Sequence, residues 1–208
     1  MKEKQYNKLY TYPRQKFGLM VNQCWQDDPK MVGVHMARYK FAAKMLHGKR
    51  RIAEIGSADG MYSSIVQNIN QDSVVDLYDF DPAWYQEQPN TITHDITHSP
   101  LPYAPYDAVY CLDVFEHIKP EAEDIFLKNI VLSLDASGVF IIGIPSLESQ
   151  KYASPMSREG HVNCKSGDDL RAVLLKHFQN AFIFGMNDET IHTGFLPMSH
   201  YLMAICSK

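Results

Sequence analysis

Arg51-Ile52-Ala53-Glu54-Ile55-Gly56-Ser57-Ala58-Asp59-Gly60 decides how this chain is read. Ile52 to Ile55 give a short, mostly apolar run for a buried strand, and the strand enters a turn bracketed by Gly56 and Gly60. Glycine admits positive φ and, without a Cβ, lets a ligand approach the backbone. A helix over 60–68 then turns free N–H groups and the positive end of its dipole toward that turn. Strand, glycine turn and helix in this order form the corner at which α/β proteins receive nucleotide-like ligands.

The chain on either side supports that corner. Further strands are read at 73–79, 91–94, 106–112, 138–144, 181–184 and 201–206, with helices at 82–86, 121–134 and 166–177. Ser166 is placed to cap the last helix, with Asp169 at the capping-box position. Residues 138–144 are apolar enough for burial on both faces. Strands separated by helices give a parallel, doubly wound sheet, so the fold read here is a Rossmann-like α/β sheet of seven strands. Residues 184–200 show no helical period, and without a crossover helix the last strand should run antiparallel to its predecessor. Upstream, Asp28-Pro29 opens a helix over 30–46, with Val34, Tyr39, Phe41, Ala42 and Met45 near helical spacing. One domain over 1–208 is expected, with 1–48 a helical N-terminal cover and 49–208 the Rossmann-like core.

The length of 208 residues suits one such domain. A net charge of −4 makes a poor generic partner for nucleic acid or an anionic membrane. Cys24, Cys111, Cys164 and Cys206 are far apart, which suggests neither a zinc framework nor a disulfide set. Residues 1–8 are polar, and no run approaches the roughly 20 apolar residues of a membrane span. A reduced, cytoplasmic protein is the expectation.

Residue types along the carboxyl edge narrow the ligand. Asp79 ends the second strand roughly 20 residues beyond the turn, where an acid can accept from two ribose hydroxyls. A dinucleotide corner wants GxGxxG, but here Ala58 stands where a second glycine would be, and Glu54 puts a carboxylate near two phosphates. A ribose-bearing ligand that is cationic and lacks phosphate fits better. With Glu54-Ile55-Gly56-Ser57-Ala58-Asp59-Gly60, Asp79, Asp95-Ile96 and Tyr106-Asp107-Ala108-Val109-Tyr110-Cys111-Leu112-Asp113-Val114-Phe115-Glu116-His117-Ile118 in order, the chain resembles the class I S-adenosylmethionine-dependent methyltransferases of small-molecule type. The resemblance is clear over about residues 50–145.

It implies S-adenosylmethionine as cofactor and a role for each matching residue. Glu54 would hold the methionine ammonium, directly or through water, and the Gly56, Ser57, Ala58 and Gly60 backbone would wrap the methionine part. Asp79 would bind ribose and Phe80 would lie against adenine. Asp95 would accept from the adenine amino group, with Ile96 on the ring, and Leu112 and Asp113 would floor the sulfonium. Ala58 departs from the family's glycine, a change that is tolerated if its φ is negative.

For the acceptor end, His117 and His161 are the candidate catalytic bases, His161 lying in a long loop after the fifth strand. Asp113-x-x-Glu116-His117 also resembles the metal-binding Glu-x-x-Glu-His of some quinone-pathway O-methyltransferases, but similar strings recur in the superfamily without metal, and no metal is expected. The family's Asn/Asp-Pro-Pro-aromatic string for DNA amines and its Pro-Cys for cytosine C5 are both missing from Leu112-Asp113-Val114-Phe115. A small-molecule or sugar-like acceptor is therefore expected, methylated at a hydroxyl, with no nucleic acid or membrane partner. N-methylation, a non-catalytic binding subunit and a homodimer through the N-terminal helix stay open.

Overall fold

A computed structural model describes residues 4–12, 14–85 and 91–208. Its centre is an eight-stranded sheet of order β3-β2-β1-β4-β5-β8-β6-β7. The strands are β1 Arg51–Ile55, β2 Val74–Asp79, β3 Thr91–Thr93, β4 Tyr106–Leu112, β5 Leu134–Pro145, β6 Asn180–Asn187, β7 Thr190–His192 and β8 Tyr201–Ser207. The β1–β2, β1–β4, β2–β3 and β4–β5 pairs are parallel. β8 runs antiparallel to both β5 and β6, as a connection without a crossover helix requires.

The count of seven strands is corrected to eight. β7 is a three-residue strand that closes a hairpin with β6 through Asp188, whose φ is +49°. Three residues are too few to show alternation in the sequence. The helix read at 82–86 is also corrected: residues 82–84 form turns and bends, and Gln86 lies outside the described residues.

Successive side chains of a strand face opposite sides of the sheet. Ala53, Ile55, Val109 and Cys111 join one apolar cluster with Phe126, Ile130 and Leu170, supplied by helices α4 (Glu123–Ser133) and α6 (Gly167–Leu174). Ile52, Ala108, Tyr110 and Leu112 join a second with Tyr39, Ala42 and Val66, from α2 (Lys30–Met45) and α3 (Ser63–Ile69). Ser166 caps α6 by accepting from Asp169 N at 3.1 Å. α1 (Leu19–Asp27) lies before α2, and its N–H at Val21 donates to Asp59 Oδ2 at 3.0 Å. α2 and α1 thus bring the N-terminal part of the chain onto the carboxyl edge of the sheet. No helix among the described residues is long and apolar enough to cross a membrane.

Candidate active site

The turn after β1 is hung on the end of β2. Gly56 N and Ser57 N donate to Tyr78 O at 2.8 and 3.1 Å, and Ala58 N donates to Asp79 Oδ2 at 2.9 Å. Asp79 Oδ1 accepts from Asp81 N at 3.2 Å. Burial raises the Asp79 carboxyl above its ordinary range, against the pull of these N–H donors. Each oxygen of a carboxylate has a second lone pair, so Asp79 can anchor the turn and still accept from a ligand.

Gly56 has φ +74°, and a Cβ there would come within 2.3 Å of Val114 Cγ2. Gly60 has φ +67°. Ala58 corrects an expectation: its φ is +45°, not negative. The turn needs a left-handed residue at that position, and Ala58 adopts it at a cost of about 1 kcal/mol.

Glu54 lies one layer below, fully buried. Tyr39 and Tyr110 hydroxyls donate to its two oxygens at 2.9 and 2.5 Å. Burial raises its carboxyl to about 7, even with these donors holding the charged form. The carboxyl therefore sits behind the turn, with both oxygens already engaged by tyrosines.

Phe80 projects from the end of β2, 68% exposed. Asp95 organises its own loop, accepting from Thr97 N and Thr97 Oγ1 and pairing with His98 Nδ1 at 2.8 Å. Burial would raise the Asp95 carboxyl; the Thr97 donors and His98 outweigh it and lower it. Ile96 is 4% exposed and faces the core cluster with Tyr78 and Phe126, so its side chain turns inward. Beside the turn, Arg14, Lys16, Phe17, Asp59, Trp84 and Tyr85 line a cavity of about 580 Å³. The chain before α1 forms one wall, and the segment after β2 another.

The sheet edge beyond β4 is assembled across long sequence distances. Leu112 is buried at the end of β4, and Asp113 follows with φ +59°. Arg38 Nη1, from α2, donates to both Asp113 oxygens at 2.8 and 2.7 Å. Arg38 also stacks on Tyr201, its guanidinium carbon 3.7 Å from the ring centre. Burial alone would raise the Asp113 carboxyl, and the adjacent Arg38 charge outweighs that and lowers it. Nothing in the sequence marks Arg38 as a site residue, and Tyr201 could be read there either as pocket lining or as core. One basic residue on a helix looks like a solvated one until the middle of α2 is seen to lie against Asp113 and Tyr201.

His117 and His161, 44 positions apart, are brought together with ring centroids 5.2 Å apart. Val162 N and Asn163 N both donate to Glu116 O, stapling the 160–163 segment to the turn after β4. Asp59, which carries the start of α1, was not separable in the sequence from its neighbours in the turn.

Solved structures share this fold. A SAM-dependent methyltransferase from Archaeoglobus fulgidus matches 91% of the chain over 98% of its own, with TM-score 0.68 and 17% identity. A TehB-like SAM-dependent methyltransferase from Corynebacterium glutamicum matches 90% over 95% of its own, with TM-score 0.63 and 20% identity. The fold is that of the class I S-adenosylmethionine-dependent methyltransferases. PigF, solved with SAH, matches 90% of the chain with TM-score 0.66 and 16% identity. The chain spans 58% of the length of PigF and of a further neighbour from Nostoc punctiforme. No protein-family model and no curated protein matches it in sequence.

Proposed function

We propose that this chain is an S-adenosylmethionine-dependent methyltransferase that acts on a hydroxyl of a small molecule or sugar-like metabolite. One observation carries the reading: a glycine turn hung on Asp79, opening beside a cavity of about 580 Å³, on the methyltransferase fold. The residues present fit the cofactor. The buried Ser57 hydroxyl has no partner among the described residues, and it lies in a turn whose close seat on Val114 leaves no room for a Cβ at Gly56. S-adenosylmethionine, when bound, supplies a methyl group on a cationic sulfur.

The chain's own residues bind and orient. Asp79 accepts from ribose hydroxyls, Phe80 covers adenine, and Asp95 accepts from its amino group. Ile96 supports that loop from inside. The Gly56–Gly60 backbone wraps the methionine part, and Leu112 and Asp113 floor the sulfonium. Glu54 acts from beneath, its charge favouring a cationic ligand while Tyr39 and Tyr110 keep its oxygens.

At the other end, an imidazole of the His117–His161 pair takes the acceptor hydroxyl's proton as the oxygen displaces sulfur from the methyl carbon. In such a transfer the C–O bond would form as the C–S bond breaks, with the electron pair left on sulfur.

The test is a panel of hydroxyl- and amine-bearing small molecules incubated with S-adenosylmethionine, with products read by mass and NMR. A methyl ether in the product supports the reading. Methylamine products only would move the reaction to nitrogen.

A further inference from the structure

We propose that Asp59 is a positioning residue that latches the N-terminal segment 14–18 over the donor turn, so that the donor lies beneath a strap. The proposal rests on the methyl-donor reading of that turn. α1 begins after Gly18, which offers no side-chain cap. A helix leaves its first N–H groups without partners, and a side-chain oxygen usually takes the one at the second or third position. Here that oxygen comes from the turn after β1, 38 positions away: Asp59 Oδ2 accepts from Val21 N, the third position of α1, at 3.0 Å. Asp59 Oδ1 accepts from Met61 N at 3.2 Å, which fixes the side chain on its own turn. A carboxylate there also suits the positive end of the α1 dipole.

The strap is seated as closely as it is bonded. Gly18 has an ordinary φ of −82°, so its backbone does not call for glycine. Its neighbour does: a Cβ there would lie 2.6 Å from Asp59 Cγ and 2.7 Å from Asp59 Oδ2. Asp59 and Val21 are both buried, so water competes little for the bond between them. Phe17 folds back along α1, its ring centroid 5.6 Å from that of Trp25.

Strap and donor turn share one cavity. Phe17 and Gly18 line the cavity of about 580 Å³ from the strap, Trp84 and Tyr85 line it from the segment after β2, and Asp59 lines it from the turn. Tyr85 is tied to Thr93 of β3 through their hydroxyls. One wall thus belongs to the sheet, whereas the other hangs from the start of α1 and its bond to Asp59. Asp59 stands between Ala58 and Gly60, whose backbone wraps the donor in the reading above. A ligand that orders this turn therefore orders the carboxylate that holds the strap. By linkage, the seated strap tightens the ligand by the same factor. Arg14 and Lys16 are both exposed, and they mark the strap for a protease that cuts after basic residues.

Limited trypsin treatment of the full chain, with cuts at Arg14 and Lys16 followed by mass, reads the strap directly, because cutting tracks the population of the open form. Without ligand, Asp59→Ala and Gly18→Ala should each be cut there about fivefold faster than the parent, the size of a lost helix cap. Asp59→Asn, which keeps an oxygen for Val21 N, should fall between. Saturating S-adenosylhomocysteine should slow cutting of the parent. Its release, followed by tryptophan fluorescence, should be about fivefold faster from both variants. Gly18→Ala keeps the Asp59 carboxylate and lies outside the sheet, so it serves even where Asp59→Ala fails to fold. Parent-like cutting in both variants would overturn the latch. Bound S-adenosylhomocysteine that changes neither the cutting of the parent nor its own release from the variants would overturn the strap's place over the donor. If the parent binds no S-adenosylhomocysteine, the methyl-donor reading fails instead, and the ligand-free cutting still decides the latch.

Discussion

At the donor end of the sheet edge, the turn over 56–60 is made of backbone. Its N–H groups at Gly56, Ser57 and Ala58 reach only as far as Tyr78 and Asp79 on the neighbouring strand. At the acceptor end, Asp113, Glu116 and His117 gain their meaning from Arg38, Tyr201 and His161, which arrive from α2, β8 and the loop after β5. A site made of backbone is written in a short stretch of glycines and one acid. A site made of converging side chains depends on the whole topology, and the same short string can be floor or base.

The contrast predicts that equal chemical changes act differently at the two ends. Asp113→Asn keeps the shape and a residue that tolerates positive φ, but leaves the Arg38 charge buried beside Tyr201 without a counter-charge. Removing one member of a buried pair is strongly destabilising, and because Asp113 is a third exposed we expect the lower end, about 3 kcal/mol. Chemical denaturation measures it; parent-like stability would mean that this ion pair does not hold the acceptor end together. Asp79→Asn, the same loss of charge at the donor end, should appear in affinity. Binding of S-adenosylhomocysteine should fall by about 1.5–3 kcal/mol, the range for a hydrogen bond to a charged group. Unchanged affinity would pass the ribose role to Asp81.

Glu54 lies between the two ends, and its effect depends on pH. Its folded value of about 7 is raised above the ordinary 4.5. The stability it contributes is complete below about 4.5 and is lost as pH rises through about 7. Glu54→Gln removes that titration, so the variant should gain on the parent by on the order of 2 kcal/mol between pH 5 and pH 8. Denaturant midpoints across that range decide it, and a constant difference would place the titration elsewhere. The smallest effect is expected at the turn itself. Ala58→Gly relieves a left-handed alanine but adds chain entropy to the unfolded state, so stability should rise by about 0.5–1 kcal/mol with cofactor binding retained. A loss of stability would show that the Ala58 methyl makes a contact worth more than the strain.

Much of the fold was legible because it rests on short, strong signals. The apolar runs at Ile52–Ile55 and Phe140–Ile144 declare buried strands, and the missing crossover after Phe184 foretold the antiparallel β8. β7 was not legible, since three residues carry no period. At the site, Gly56 and Gly60 are readable because positive φ selects glycine, whereas Ala58 hides the same conformation behind an ordinary residue. Glu54 was readable as an acid at a strand end, but Tyr39 and Tyr110 come from 15 positions before and 56 after it, so their grip on its oxygens was invisible. His117 and His161 were each visible as histidines near the edge; their proximity to each other and to Glu116 follows from a loop stapled by Val162 and Asn163.

The central claim is that the corner at Gly56–Gly60 and Asp79 receives a cationic, phosphate-free nucleoside. Calorimetric titration of the full chain with S-adenosylhomocysteine, and separately with NAD, tests it most directly. The account predicts one equivalent of S-adenosylhomocysteine bound and no heat from NAD. Saturable binding of NAD with none of S-adenosylhomocysteine would contradict it.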